Sequence, residues 1–444
     1  MNISFEKDFD LKIPVLKSSK STLLINPSFS NLEITLHLNT KYKANVAEVF
    51  EECKEIKLPT LEKIQIDLQD FDSVLKQELL VQILFNNYGT RYSKKTSANP
   101  KTQVIFVGGI SAELQNFLAL YQAVYQAKYL GDLDSLDDGT PTQFCQNFLK
   151  QLPKKHKNLL VKVWDAQQIQ QLGLNLISAV GGSGKNPPVV LEVCFKNNPL
   201  ENNFLVLVGK GVTFDSGGYA LKNSTGIRTM RLDKSGAASL CGVLQYLVEQ
   251  DVKVNVAAVL VLAENLIGQQ ALLPSQVITA YNQKTVQVDN PDAEGRLLLG
   301  EGISYLQDQY PCQTVISVAT LTGAICTTLG KYMTGLFATD QKWAHNLKTA
   351  CDAVGEEVWI LPIHRQNYKQ IRTATLADLT NAPESATHGA SSLGAAFVAE
   401  FIQPQTSLLH FDIGGTGVEA NRATGVLVRG IINFIKNYQL EGKW

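Results

Sequence analysis

With 444 residues, 40 basic and 41 acidic side chains and a net charge of −1, the chain can bury a large core and carries no global field that would draw it to nucleic acid or an acidic membrane surface. Charged residues make up 18 %, below the roughly 25 % typical of soluble proteins, which favours extensive burial or an oligomer interface. Seven scattered cysteines, odd in number and never spaced CxxC, argue against a disulfide framework or a zinc knuckle and for a reduced, cytoplasmic setting.

The amino terminus, MNISFEKDFDLKIP, has neither a basic-then-apolar signal pattern nor a spanning segment, and the longest apolar run, Val256 to Ala263, is strand-sized, so no membrane partner is expected. Residues 1–132 are expected to form a small α/β domain. LEITLHL, IQIDL and TQVIFVGG read as strands, and Asp72–Asn86 and Ser111–Lys128 read as helices. Residues 133–158 read as a linker and connecting helix, opening on the acidic LDSLDDGTP. In residues 159–444, LLVKVWD, VVLEVCF, FLVLVGK, VNVAAVLVLAE, TVISVATL and LLHFDIGG are strand candidates separated mostly by helical patterns. That alternation predicts a larger α/β domain with a mostly parallel sheet flanked by helices. The clearest helix follows Asp233, with Ala237, Leu240, Cys241, Leu244 and Leu247 on one apolar face and Ser235 available as its cap.

The chemistry concentrates in two stretches. FLVLVGKGVTFDSGGYALKNSTGIRTMRLD, residues 204–233, reads as a buried strand running into a glycine-rich turn, with Lys210, Asp215, Lys222 and Asp233 along or beyond its end. Strand ends of this kind form the open edge where α/β proteins bind ligands. The second stretch, NPDAEGR at 290–296, adds Asp292, Glu294 and Arg296; its two acids are two apart and share one side of an extended segment. Four carboxylates balance two divalent ions, leaving Lys222 and Arg296 as surplus positive charge that would acidify a bound water and stabilise an oxyanion. Histidine is absent from both stretches and HExxH from the chain, which disfavours a mononuclear zinc protease.

VGKGVTFDSGG, the following LK, MRLD and NPDAEGRL resemble the signature segments of the leucine aminopeptidase (cytosol aminopeptidase) family, with a flavour of its peptidase B branch; ATLTGA at 319–324 and HFDIGG at 410–415 add to the likeness. The likeness runs from about residue 130 to the end. It implies an aminopeptidase acting on peptides with a free amino terminus, using two divalent ions per subunit, zinc or manganese with magnesium a third candidate. By position, Lys210, Asp215, Asp233 and Glu294 match the ligands of a tightly held metal, and Asp215, Asp292 and Glu294 those of a more exchangeable one. Lys222 and Arg296 match the catalytic cations, Arg296 holding a bicarbonate that serves as base. A homo-hexamer is the family's usual assembly.

This chain departs from the family pattern at Pro291, where threonine is usual, at Lys234, where methionine is usual, and at Ser275 and Gln276, where Gly-Asp is usual. The competing reading is a non-catalytic scaffold or DNA-binding member of the same family; the intact polar set argues against it. A metal-dependent phosphohydrolase lacks a phosphate cradle. GGSGKN at 181–186 departs from the phosphate-loop pattern at Ala179 and Asn186 and reads better as a turn. His410 and His388 are read as structural rather than catalytic, and Met230 as either core or a wall of the substrate pocket.

Overall fold

The computed structural model describes residues 112–153, 156–383 and 388–441, together with the backbone of five strands between residues 2 and 107. The chain separates into two compact units, Met1–Gln122 and Ala123–Trp444. In the first, β1 (Asn2–Phe5), β2 (Ser21–Pro27), β3 (Leu32–Leu38), β4 (Lys63–Asp67) and β5 (Gln103–Val107) form one sheet in the order β2-β3-β1-β4-β5, antiparallel except for the parallel β4–β5 pair. LEITLHL, IQIDL and TQVIFVGG supply three of these strands. The expected helix Asp72–Asn86 lies outside the described residues, and the next one runs Ala112–Asp132.

The second unit is built on β6 (Leu159–Trp164), β7 (Val189–Lys196), β8 (Phe204–Asp215), β9 (Asn255–Asn265), β10 (Gln276–Thr279), β11 (Thr285–Val288), β12 (Cys312–Ala319), β13 (Thr334–Ala338), β14 (Val358–Leu361), β15 (Leu379–Thr380) and β16 (Ser407–Asp412). Its main sheet has eight strands in the order β14-β13-β16-β12-β8-β9-β7-β6. The four central strands, β16, β12, β8 and β9, run parallel, while the β9–β7 and β7–β6 contacts on one side and the β13–β16 contact on the other are antiparallel. All six strand candidates are therefore strands. The sequence reading missed β13 and β14, whose four- or five-residue apolar runs carry too little pattern to separate strand from helix.

Helices cover both faces of this sheet, which is why its central strands are apolar at nearly every position. Helix Ser235–Glu249 lies on one face, its Ala237 against Gly209 and Gly211; helix Gly295–Gln309 lies on the other, its Gly302 against Val208, Val259 and Val261. The first of these helices is buried on all sides from Ser235 to Val248, not on one face only. Ser235 is its first residue rather than its cap, the hydroxyl donating instead to the Leu232 carbonyl at 2.6 Å. Because β8, β9, β12 and β16 are parallel, their carboxyl ends meet at one edge and place Asp215, Asn265, Thr320 and Asp412 side by side.

Glu301, on helix Gly295–Gln309, ties that helix to the first turn of helix Asn175–Gly181 and to the turn at Tyr281. It is fully buried, and its carboxyl accepts from the N–H groups of Leu176, of Ile177 at 3.1 Å and of Tyr281 at 2.7 Å. Burial pushes this carboxyl up to about 8 against those hydrogen bonds, from 4.5 in the open chain. Between these values the unfolded chain holds fewer protons, so the contribution of Glu301 to stability is complete below the lower value and is lost as pH rises through the upper one. Glu301→Gln, which cannot ionise, should flatten that part of the pH–stability curve, read by urea unfolding at about pH 5 and about pH 8.5. An unchanged slope would mean that Glu301 does not titrate in this range.

Candidate metal centre

Lys210 leaves β8 on the face covered by helix Gly295–Gln309 and passes so close to the start of that helix that a Cβ at Gly295 would lie 2.7 Å from its Cε. The glycine of NPDAEGR is there because the lysine needs the room. The Lys210 ammonium lies 2.8 Å from Asp233 Oδ1, 2.8 Å from Asp233 Oδ2 and 2.9 Å from Glu294 Oε1, and donates to the Thr320 carbonyl at 2.9 Å. Thr320, just past β12, also donates its hydroxyl to Asp233 Oδ1 at 2.7 Å.

Asp215, the last residue of β8, is held from the other side. Its Oδ1 accepts from Gly217 N–H at 2.8 Å and from Asn265 Nδ2 at 2.7 Å, leaving Oδ2 to Lys222 Nζ at 2.7 Å. Lys222 also pairs with Asp292. Gly217 sits at φ +85°, and a Cβ there would meet Asp292 Oδ1 at 2.9 Å, so both backbone and space call for glycine in this turn. Asp215, Asp292 and Glu294 each offer an oxygen within 4.8 Å of the others. Thus Glu294 belongs to both groups, facing Lys210 and Asp233 on one side and clustering with Asp215 and Asp292 on the other.

The charges explain the strain in this arrangement. Burial, joined by repulsion from Asp215, pushes the Glu294 carboxyl up to about 8, and burial likewise lifts Asp233 to about 6 although Lys210 opposes it. Asp292 is raised by burial and by Asp215. Burial alone would lower both lysines, yet the surrounding carboxylates win and raise them. Asp233 Oδ2, Asp292 Oδ1 and Glu294 Oε1 are buried, and among the described residues each is met only by a lysine ammonium. Four carboxylates outnumber the cations Lys210, Lys222 and Arg296 gathered here, and a donor set of four carboxylates and one amine fits divalent metal ions.

Arg296, on the first turn of helix Gly295–Gln309, is buried beside this cluster. Its Nη1 donates to the Asn381 carbonyl at 2.7 Å and its Nε–H has no partner among the described residues. Burial pulls it down to about 10, still cationic at neutral pH. His410 is fully buried in β16, its Nδ1 2.8 Å from Ser317 Oγ; burial and Arg296 push it down to about 3, so it is neutral. His388 is exposed and Met230 half-buried. Lys234, next to Asp233 and departing there from the family pattern, is buried with its ammonium turned to the carbonyls of Leu133, at 2.7 Å, and Arg231. GGSGKN is a turn ahead of β7 in which Asn186 Nδ2 donates to Glu264 at 2.7 Å, and a buried carboxylate facing the loop is the opposite of a phosphate cradle.

Two asparagines complete the centre and were not singled out from sequence. Asn265 Nδ2 bridges Asp215 and the Pro291 carbonyl, the latter at 3.0 Å, and so joins the two signature stretches. Asn381 holds the second stretch from the far side. Neither lies in a segment of distinctive composition; the one available clue for Asn265 is its place at the end of a strong strand beside β8.

Residues 127–432 match the family described as "Cytosol aminopeptidase family, catalytic domain". Similar proteins include a probable cytosol aminopeptidase of Mycoplasma genitalium, 36 % identical over 345 residues that cover 77 % of this chain and 75 % of the relative. Another, of Mycoplasma pneumoniae, is 35 % identical over 381 residues, 83 % and 84 % of the two chains. Among solved structures, the bottromycin maturation enzyme BotP aligns with a TM-score of 0.77 and 25 % identity over 94 % of this chain and 93 % of its own. The same enzyme in complex with Mn aligns at 0.76.

Proposed function

The chain belongs to the cytosol aminopeptidase family and is an aminopeptidase, a metallo-exopeptidase hydrolase; from that premise we propose that it removes amino-terminal residues with two divalent ions held by Lys210, Asp215, Asp233, Asp292 and Glu294. The position of Glu294 between the Lys210–Asp233 pair and the Asp215–Asp292 pair carries the two-ion reading. The first ion would take Lys210, as a neutral amine, with Asp215, Asp233 and Glu294; the second would take Asp215, Asp292 and Glu294. Bound there, divalent ions supply Lewis acidity and a water of lowered pKa. The amine ligand favours zinc and the oxygen-rich second site accommodates manganese or magnesium.

The protein's own groups divide the remaining tasks. Lys222, half-buried at the mouth of the cluster, polarises the scissile carbonyl and stabilises the oxyanion. Asp233 receives the substrate's free amine. Arg296 holds a bicarbonate ion, which supplies the proton acceptor that no side chain here provides. Residues 123–444, the compact unit that contains the matched segment 127–432, would carry the catalysis, with 1–122 a separate amino-terminal unit and the expected connector 133–158 inside the catalytic one. Assembly as a homo-hexamer in the cytoplasm accords with the family; among the described residues no helix is long and apolar enough to cross a membrane. A scaffold without catalysis would have no use for Asp215, Asp292 and Glu294 gathered within 4.8 Å of one another at the strand ends.

Amine dependence tests the exopeptidase chemistry. A dipeptide such as Leu-Gly should be cleaved and its N-acetylated form should not, because an amide nitrogen is a poor ligand and brings no charge to Asp233. Comparable turnover of the two, followed by amino-acid release, would overturn the assignment of Asp233 and the tight ion to amine binding.

A further inference from the structure

Asn381 follows β15, the two-residue strand that pairs with β11 in the three-stranded sheet β10-β11-β15. It is fully buried, and every hydrogen-bonding group it owns is directed at residues 287–296. Its N–H donates to the Gln287 carbonyl at 3.1 Å. Its side-chain oxygen accepts from the N–H groups of Asp289 at 2.8 Å and Asn290 at 3.2 Å, and its amide nitrogen donates to the carbonyls of Asn290 at 2.7 Å and Ala293 at 3.2 Å. Its own carbonyl accepts from Arg296 Nη1 at 2.7 Å. A carboxamide has two donors and two acceptor lone pairs, and all four are used; neither a carboxylate, which would face two carbonyl oxygens, nor a hydrocarbon can do the same.

These bonds end on the turn that carries Asp292 and Glu294 and on the guanidinium that follows. With Nη1 committed to Asn381, the Arg296 Nε–H is left buried without a partner among the described residues. We infer that Asn381 is a positioning residue of the reaction: it fixes the orientation of Arg296 relative to the carboxylate turn, so that the free edge of the guanidinium is presented to the centre. This rests on the reading of Arg296 as the anion-holding cation. An error of about 1 Å in such a group costs on the order of 10²-fold in rate, so a residue that touches no substrate can matter this much.

A double-mutant cycle at saturating metal separates this role from a structural one. Asn381→Ala should lower kcat by about 10- to 100-fold, with KM within about threefold and metal content unchanged. In the Arg296→Ala background the same change should cost less than about threefold, because the group it orients is gone. If the two losses multiply, or if Asn381→Ala releases metal, Asn381 acts elsewhere and the inference falls. If Arg296→Ala alone keeps wild-type activity, the reading of Arg296 fails instead. Should the alanine protein not fold, Asn381→Asp, which keeps the acceptor for two N–H groups and loses both donors, is carried through the same cycle with the same expectations.

Discussion

Replacing Asp215 or Glu294 should remove bound metal and peptide cleavage together, with activity falling by at least about 10³-fold, since several kcal/mol of transition-state charge stabilisation would go with the ions. The expectation comes from where these two carboxylates sit. Asp215 turns one oxygen to Gly217 and Asn265 and leaves the other facing Lys222, while Glu294 lies between Lys210 and the Asp215–Asp292 pair. Asp215→Asn and Glu294→Gln are better probes than alanine because they keep the shape of a packed site. Lys222→Ala should behave differently, retaining both ions while kcat falls by about 10²- to 10³-fold, the usual loss when one donor to a developing oxyanion is deleted. Elemental analysis and steady-state kinetics on the same samples decide the matter. Full metal content in Asp215→Asn protein would contradict the shared-ligand arrangement, and loss of metal from Lys222→Ala would move Lys222 from catalysis to site assembly.

How legible this centre was depends on how each residue is brought in. Lys210 and Asp215 lie on one strand, and Asp292, Glu294 and Arg296 on one turn, so spacing alone suggested their grouping. Asp233 and Lys222 arrive through the loop that follows the same strand, and the structure sets Asp233 against Lys210 and Lys222 against Asp215 and Asp292. Asn381 comes from a point 85 residues beyond Arg296, through a two-residue strand too short to leave a pattern. Lys234 shows the reverse failure. It neighbours Asp233 in sequence, yet its side chain leaves for the Leu133 and Arg231 carbonyls because the chain enters a helix there.

The fold divides the same way. The central parallel strands announced themselves as continuous apolar runs, which only a sheet covered on both faces requires. The direction of β7 did not, because a buried antiparallel strand has the same apolar composition as a parallel one. Among the glycines, Gly295 reads from sequence as a helix start of poor propensity; only the lysine passing beneath it explains the choice.

Arg296→Ala should keep its metal and lose about 10²- to 10⁴-fold in rate, the usual worth of general-base catalysis, and it should respond little to added bicarbonate. Asp292 and Glu294 are occupied with cations, and Arg296 stays protonated at neutral pH even with burial pulling it to about 10. His410 is fully buried behind the centre, with Nδ1 engaged by Ser317. Among the described residues no side chain at the centre is therefore both close and free to take a proton, whereas the Arg296 Nε–H is a buried donor with no partner among them, suited to an exogenous anion. Wild-type enzyme in buffer stripped of carbon dioxide should be slower and should recover when bicarbonate is returned, with metal content constant throughout. Residual bicarbonate must be measured, because an ion bound by a buried guanidinium can survive degassing. A wild-type enzyme indifferent to verified depletion would place the base elsewhere. His410→Gln would then be the first variant to assay: its Nε2 is the one other unpartnered basic nitrogen found near Arg296 among the described residues.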